Sequence, residues 1–173
     1  MIPYAHNSAK IRISGSTYNK RKLIKNAARW MLGYLLGTKQ ANYIILAIKL
    51  TDEYQGSGNY GSVIWEDRYL KPREFDMELC NHLNDRMLYK TLAHEAIHIK
   101  QYVVGDLKDL ARYENYCKWK NELVQSEGRG KVPYREQPWE KEAYAYQSII
   151  LKEWQLAHEY KFRRSGGELY NAN

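Results

Sequence analysis

The sequence predicts an α+β fold: an N-terminal helix, a small three-stranded and mostly antiparallel sheet, a central helix and a C-terminal helix. Three observations carry that expectation. Apolar residues recur at helical spacing in three separate stretches. Glu74–Leu79 alternates strictly, with Phe75, Met77 and Leu79 against Glu74, Asp76 and Glu78, the period of a strand with one wet face. Two further β-rich runs, Tyr43–Leu50 and Ser62–Glu66, lie before it. The 173 residues suit one domain over 1–173 with a real core, and residues 163–173 read as a loose tail.

Taken in order, Ser14–Thr17 offers helix caps. Leu23, Ile24, Ala27, Trp30, Met31, Tyr34 and Leu35 then mark a helix that ends at Gly37. Tyr43–Leu50 reads as a buried strand, so residues 1–51 comprise a basic N-terminal helix and the first strand. Asn84 is the expected cap of the second helix, with Asp85 favourable in its first turn and Gly105 closing it. Its apolar stripe runs through Leu88, Leu92, Ala96, Ile99 and Val103. A helical piece is expected around Leu110–Leu123, and an exposed loop over Ser126–Val132. Pro138 sits where a first helical turn accepts proline. From there Trp139, Ala143, Tyr146, Ile150, Trp154 and Ala157 carry a final helix to about Tyr160.

Composition narrows the function classes. With 44% hydrophobic and 27% charged residues the chain is not of the disordered type. Its longest strongly apolar run, Tyr43–Ile48, is far short of a membrane span, and no charged-then-apolar leader follows Met1. Cys80 and Cys117 read as reduced thiols, so a cytoplasmic protein is expected. The net charge of +7 is unevenly placed: residues 1–51 hold nine basic side chains and no acid, the first acid being Asp52. A basic helix of that kind can touch nucleic acid or an acidic partner, or can be a solvated face.

The chemistry concentrates in the second helix, at His94-Glu95-Ala96-Ile97-His98. Histidines four apart share a helix face, and their imidazoles can grip one Zn²⁺ ion. Glu95 points roughly 100° around the helix, where a carboxylate flanks the metal and can act as general base on a water. Both histidines lie opposite the Leu88/Leu92/Ile99 stripe and are expected to line a surface. A third ligand is needed, and carboxylates at the start of the last helix (Gln137-Pro138-Trp139-Glu140-Lys141-Glu142-Ala143-Tyr144) are better placed for it than the distant His158. Two histidines and a glutamate form a catalytic zinc shell with an open position.

HExxH on one helix and Glu-x-x-Ala on a later one resembles the gluzincin zinc metallopeptidases, most of all their small single-domain forms, the minigluzincins. The run Leu92–Gln101 and the Pro138–Ala143 segment carry the match. The resemblance implies a zincin-like fold and a zinc-dependent endopeptidase, a hydrolase of protein or peptide substrates. It also implies His94, His98 and Glu140 as ligands (alternatively Glu142), Glu95 as the catalytic base, and an edge strand, Ser62–Glu66 or Glu74–Leu79, that pairs with extended substrate. The resemblance further implies a tyrosine or histidine donor to the oxyanion, with Tyr113, Tyr116 and Tyr146 as candidates among the tyrosines, and Trp65 is a candidate pocket wall. The competing expectation is a nucleic-acid- or partner-binding protein with a structural or vestigial zinc site.

Overall fold

A computed structural model describes residues 9–54, 59–67, 71–110, 115–128, 130–162 and 169–171. Tyr113 and residues 55–58 lie outside these residues. The fold is α+β, with three helices and mixed sheets.

Strand β1 (Lys10–Ser14) leads through helix α1 (Tyr18–Ala41) to strand β2 (Ile45–Thr51), and the two strands pair in parallel, Ile11 opposite Leu46. A helix between two strands returns the chain to its starting end, which makes them parallel neighbours. Gly15 turns the chain into α1 at φ +76°, and a Cβ there would meet the Leu50 carbonyl oxygen at 2.3 Å. Thr17 caps the helix by accepting from the Lys20 amide, and the Arg21 guanidinium donates to the Ser16 carbonyl at 2.6 Å. Non-helical backbone at Gly37 kinks α1 where the sequence predicts its end.

Strands β3 (Gly61–Trp65) and β4 (Glu74–Cys80) complete the sheet in the order β1-β2-β4-β3. Only β3 is antiparallel, to β4. The expected three-stranded, mostly antiparallel sheet is therefore corrected to four strands, three of them parallel. The missing strand is Lys-Ile-Arg-Ile-Ser, a short alternation whose charged members hide its apolar ones. Strand β2 is half-buried rather than buried: Leu46, Ile48 and Leu50 face the core, while Ile45, Ala47 and Lys49 are exposed.

Helix α2 (Asp85–Val104) has the predicted ends. Asn84 Oδ1 accepts from the Met87 amide at 3.0 Å, and Gly105 closes it in the left-handed conformation. The helix packs against β3 and β4 on one side, α1 on another and α3 (Pro138–His158) on a third, so every residue from Thr91 to Ile99 is buried. Trp154 stacks on Tyr89 of α2, ring centroids 4.7 Å apart. Tyr146, expected on the apolar stripe of α3, is exposed instead.

Between α2 and α3 the chain forms a second sheet of β5 (Leu107–Asp109), β6 (Tyr116–Trp119) and β7 (Glu122–Gln125). This replaces the helix expected around Leu110–Leu123. The turn between β6 and β7 places Lys120 and Asn121 both at positive φ, the two-residue connection whose twist suits a hairpin. Trp119 and Leu107 from this sheet pack with Trp139 in a satellite cluster at the mouth of α3. A short 3₁₀ turn, Tyr134–Glu136, precedes α3. Beyond α3, β8 (Tyr160–Phe162) pairs with β9 (Leu169–Asn171), so the expected loose tail contains a strand. No helix among the described residues is long and apolar enough to cross a membrane. Both cysteines are free thiols.

Candidate metal centre

The two motif histidines sit in the middle of α2, one turn apart, on the side that α3 covers. That cover corrects the expectation of a surface site: His94 and His98 are each 7% exposed and Glu140 is 3% exposed. Pro138 sets the start of α3, and Glu140 in its first turn reaches both rings. Its Oε2 is 3.2 Å from His94 Nε2, its Oε1 is 3.2 Å from His98 Nε2, and the two Nε2 atoms are 3.1 Å apart.

Those separations are informative because zinc bonds of about 2.0–2.1 Å in a tetrahedral shell set neighbouring donors about 3.3 Å apart. Three donors at 3.1–3.2 Å thus already lie near the edges of one face of such a shell. Two of the polar atoms are also unsatisfied. Glu140 Oε2 and His94 Nδ1 are buried without a hydrogen-bond partner among the described residues; Oε2 is close to His94 Nε2, but not aligned with it as a hydrogen bond. A buried orphan oxygen is costly, and a cation between the three donors would satisfy it. His94, His98 and Glu140 can therefore hold a metal ion. Glu142 is not among them: its Oε2 accepts from Gln101 Nε2 at 2.8 Å, and Lys100 and Lys120 lie 3.6 Å from its carboxylate.

The electrostatics follow from this crowding. Burial works against the Glu140 carboxylate, but the two imidazoles outweigh it and hold its pKa down to about 2. Burial likewise disfavours a charged His98, yet Glu140, Glu95 and Gln101 outweigh it and raise its pKa. Glu95 goes the other way: burial raises its pKa above the ordinary carboxylate range, the histidines oppose this, and Glu140 adds to it.

A pH dependence follows for the metal-free protein. The depressed Glu140 contributes stability above its ordinary value near ~4.3, and that is lost as pH falls towards 2. The raised His98 contributes below its ordinary value near ~6.5, and that is lost as pH rises through its folded value. Glu140 and His98 together therefore stabilise the metal-free chain most between about pH 4.3 and 6.5, while the raised Glu95 works against stability as pH climbs above its ordinary value. Added zinc, which needs unprotonated imidazoles, is expected to raise Tm more as pH climbs above that window. Melting curves with and without chelator across pH 5–8 check this. A zinc-induced Tm shift that shrinks with rising pH would contradict it.

Two residues that the sequence reading passed over stand beside this cluster. Gln101, one turn past His98 and wholly buried, accepts from His98 Nδ1 at 2.8 Å and donates to the Trp139 carbonyl at 3.0 Å. A polar residue three positions beyond a ligand histidine shares its face, and that was the signal available in the sequence. The other is Tyr134. Its ring is largely exposed, but burial of its hydroxyl drives its pKa far up, and the nearby Glu140 and Glu95 carboxylates add to this. Nothing in a chain of sixteen tyrosines marked it out.

The remaining expected residues are placed as follows. Trp65, half-buried at the end of β3, donates from Nε1 to Asp109 Oδ2 at 2.9 Å. With Tyr102, Tyr116 and Tyr134 it lines a cleft of about 780 Å³. Tyr146 is on the exposed side of α3, 52% accessible, and no contact joins it to the cluster. Tyr144 packs its ring on His94, centroids 4.8 Å apart. Cys117 also lines the cleft, but burial, with Asp109 beside it, raises its thiol to about 11, unsuited to a nucleophile. His82 is an exposed partner of Asp52 at 3.1 Å, and His158 Nδ1 lies 3.0 Å from the Trp154 carbonyl in the last turn of α3.

No family model, curated protein or solved structure matches this chain.

Proposed function

We propose that the protein is a zinc-dependent endopeptidase of zincin-like architecture, with His94, His98 and Glu140 as metal ligands and Glu95 as general base. The observation that carries this reading is the convergence of three donors at tetrahedral spacing around a buried, unsatisfied carboxylate oxygen, with a fourth ionisable group, Glu95, beside them. Purely structural zinc sites are closed, usually with cysteine, and have no use for that neighbouring carboxylate.

Zinc bound there would supply Lewis acidity, polarising a peptide carbonyl and making a water nucleophilic near neutral pH. The protein's own groups account for the rest. Glu95, buried beside the cluster, takes the proton of the attacking water and returns it to the leaving amine. Tyr134 lines the cleft close enough to feel the Glu140 and Glu95 carboxylates, and from there its hydroxyl can donate to the oxygen that gains charge. Strand β3 is an edge strand of the described sheet, and Gly61 holds it close to α2: a Cβ there would lie 2.7 Å from Thr91 Cγ2. An extended peptide adding to β3 would run beside Glu95, and its side chains would enter the cleft past Trp65.

Tyr134→Phe is expected to lower kcat by about 10²-fold with KM and zinc content little changed, as for loss of one oxyanion donor. Steady-state kinetics beside elemental analysis measure this, and an unchanged kcat would remove Tyr134 from the chemistry. The reading as a whole is tested by the purified protein: stoichiometric zinc, peptide cleavage, and loss of cleavage with chelator. The alternative, a nucleic-acid- or partner-binding protein with a structural zinc site, predicts salt-dependent nucleic-acid binding and no cleavage. Part of its basic helix is already engaged. Lys20 donates to the Asn81 carbonyl at 2.9 Å, and Arg21 to the Gly15 and Ser16 carbonyls. A soluble cytoplasmic setting belongs to the same proposal.

A further inference from the structure

We infer that Gln101 is a positioning residue that presets His98 for metal, and that Glu142 holds Gln101 in that role; this rests on the reading of His94, His98 and Glu140 as a zinc site. The argument is one of donors and acceptors. A glutamine amide has two N–H donors on nitrogen and an acceptor oxygen, and the two ends cannot be exchanged without cost when buried. Here the nitrogen faces two acceptors, the Trp139 carbonyl oxygen at 3.0 Å and Glu142 Oε2 at 2.8 Å. Neither can donate, since a main-chain carbonyl carries no proton and the Glu142 carboxylate lies beside Lys100 and Lys120.

The amide orientation is therefore fixed, with Oε1 towards His98. Oε1 can only accept, so the ring must offer it Nδ1–H across their 2.8 Å contact. A neutral imidazole protonated on Nδ1 keeps its lone pair on Nε2, and His98 Nε2 is the atom that faces His94 and Glu140. The ligand tautomer of His98 is thus selected before any ion arrives.

His94 has no such support behind its ring: its Nδ1 is buried without a hydrogen-bond partner among the described residues, and Tyr144 packs on its face. The two ligand histidines are unequal: among the described residues only His98 has a hydrogen-bond partner on Nδ1, the ring atom turned away from the cluster. The same contacts bind the two ligand-bearing helices together, because Gln101 belongs to α2 while Trp139 and Glu142 belong to α3. Lys120, on the hairpin between β6 and β7, extends the chain of contacts to the sheet that walls the cleft.

The test uses the full chain and zinc alone. Long-range ¹H–¹⁵N correlation spectra of the metal-free protein, taken at a pH high enough that His98 carries a single ring proton, are expected to show it as the Nδ1–H tautomer. In Gln101→Met, which keeps the volume but not the hydrogen bonds, that preference should be lost. Zinc affinity, read by competition with a chromophoric chelator, should weaken by about 10–100-fold. Glu142→Gln, which replaces the charged acceptor that holds the amide with a neutral one able to present an N–H instead but leaves the core intact, should show a smaller loss in the same direction, and this keeps the test sound if Gln101→Met folds poorly. An Nε2–H tautomer for His98 in the wild type overturns the proposal. So does undiminished zinc affinity in both variants of a wild-type protein that binds zinc. A wild-type protein that shows the Nδ1–H tautomer yet takes up no zinc would instead overturn the metal-site reading and leave the positioning intact.

Discussion

Glu95→Gln is expected to keep the full zinc complement and to lower peptide cleavage by about 10²–10⁴-fold, the range for loss of a general acid–base group. The substitution preserves shape and removes only the ability to take up a proton. Glu95 is not one of the three clustered donors, so its loss leaves the ligand set whole. Its carboxylate is 5% exposed and burial raises its pKa, so exchange for a neutral amide should not destabilise the fold; removing a buried charge should stabilise it if anything. That makes the variant unusually clean, since activity and folding are expected to move in different directions. Paired measurements of zinc content, melting temperature and peptide hydrolysis decide it. Cleavage at the wild-type rate with zinc bound would end the assignment of Glu95 as base.

The second large effect separates two carboxylates two residues apart. Glu140→Ala is expected to abolish stoichiometric zinc binding, because it removes one of three donors and leaves two buried imidazoles 3.1 Å apart with no carboxylate between them. Glu142→Ala is expected to retain zinc at saturating concentration with an affinity about 10–100-fold lower, the effect of losing a group that orients a ligand from behind. Either carboxylate fits the sequence, which offers an alanine three positions beyond each. Equilibrium dialysis of both variants, read by elemental analysis, distinguishes them. Zinc lost from Glu142→Ala and kept by Glu140→Ala would reverse the ligand assignment.

Much of the scaffold was legible because local rules and tertiary packing agree there. Asn84 and Gly105 end α2 by hydrogen bonding and backbone conformation that involve only neighbouring residues. Strand β4 shows its alternation because one of its faces is wet and the other packs on the core. The failures fall where the rules compete. Residues 10–14 mix basic with apolar side chains and become a strand only because β2 offers a parallel edge through α1. Residues 116–125 carry helix formers such as Lys118, Glu122 and Leu123, yet the positive-φ pair Lys120-Asn121 folds them into a hairpin.

The candidate site divides along the same line. Sequence alone determined that His94 and His98 share a helix face with Glu95 beside them, because 3.6 residues per turn leaves no other arrangement once the helix forms. It also determined the small set of carboxylates from which a third ligand could come. Tertiary structure alone decided that Glu140, not Glu142, reaches the imidazoles, and that the site is buried under α3. It also brought Gln101 against His98 and Tyr134 into the wall of the cleft. The physical reason is that spacing along a helix is fixed by its own backbone. Which side of α3 meets α2 depends on how two apolar stripes and the Trp139 cluster settle against each other, and Glu140 and Glu142, two residues apart, differ by about 200° around that helix.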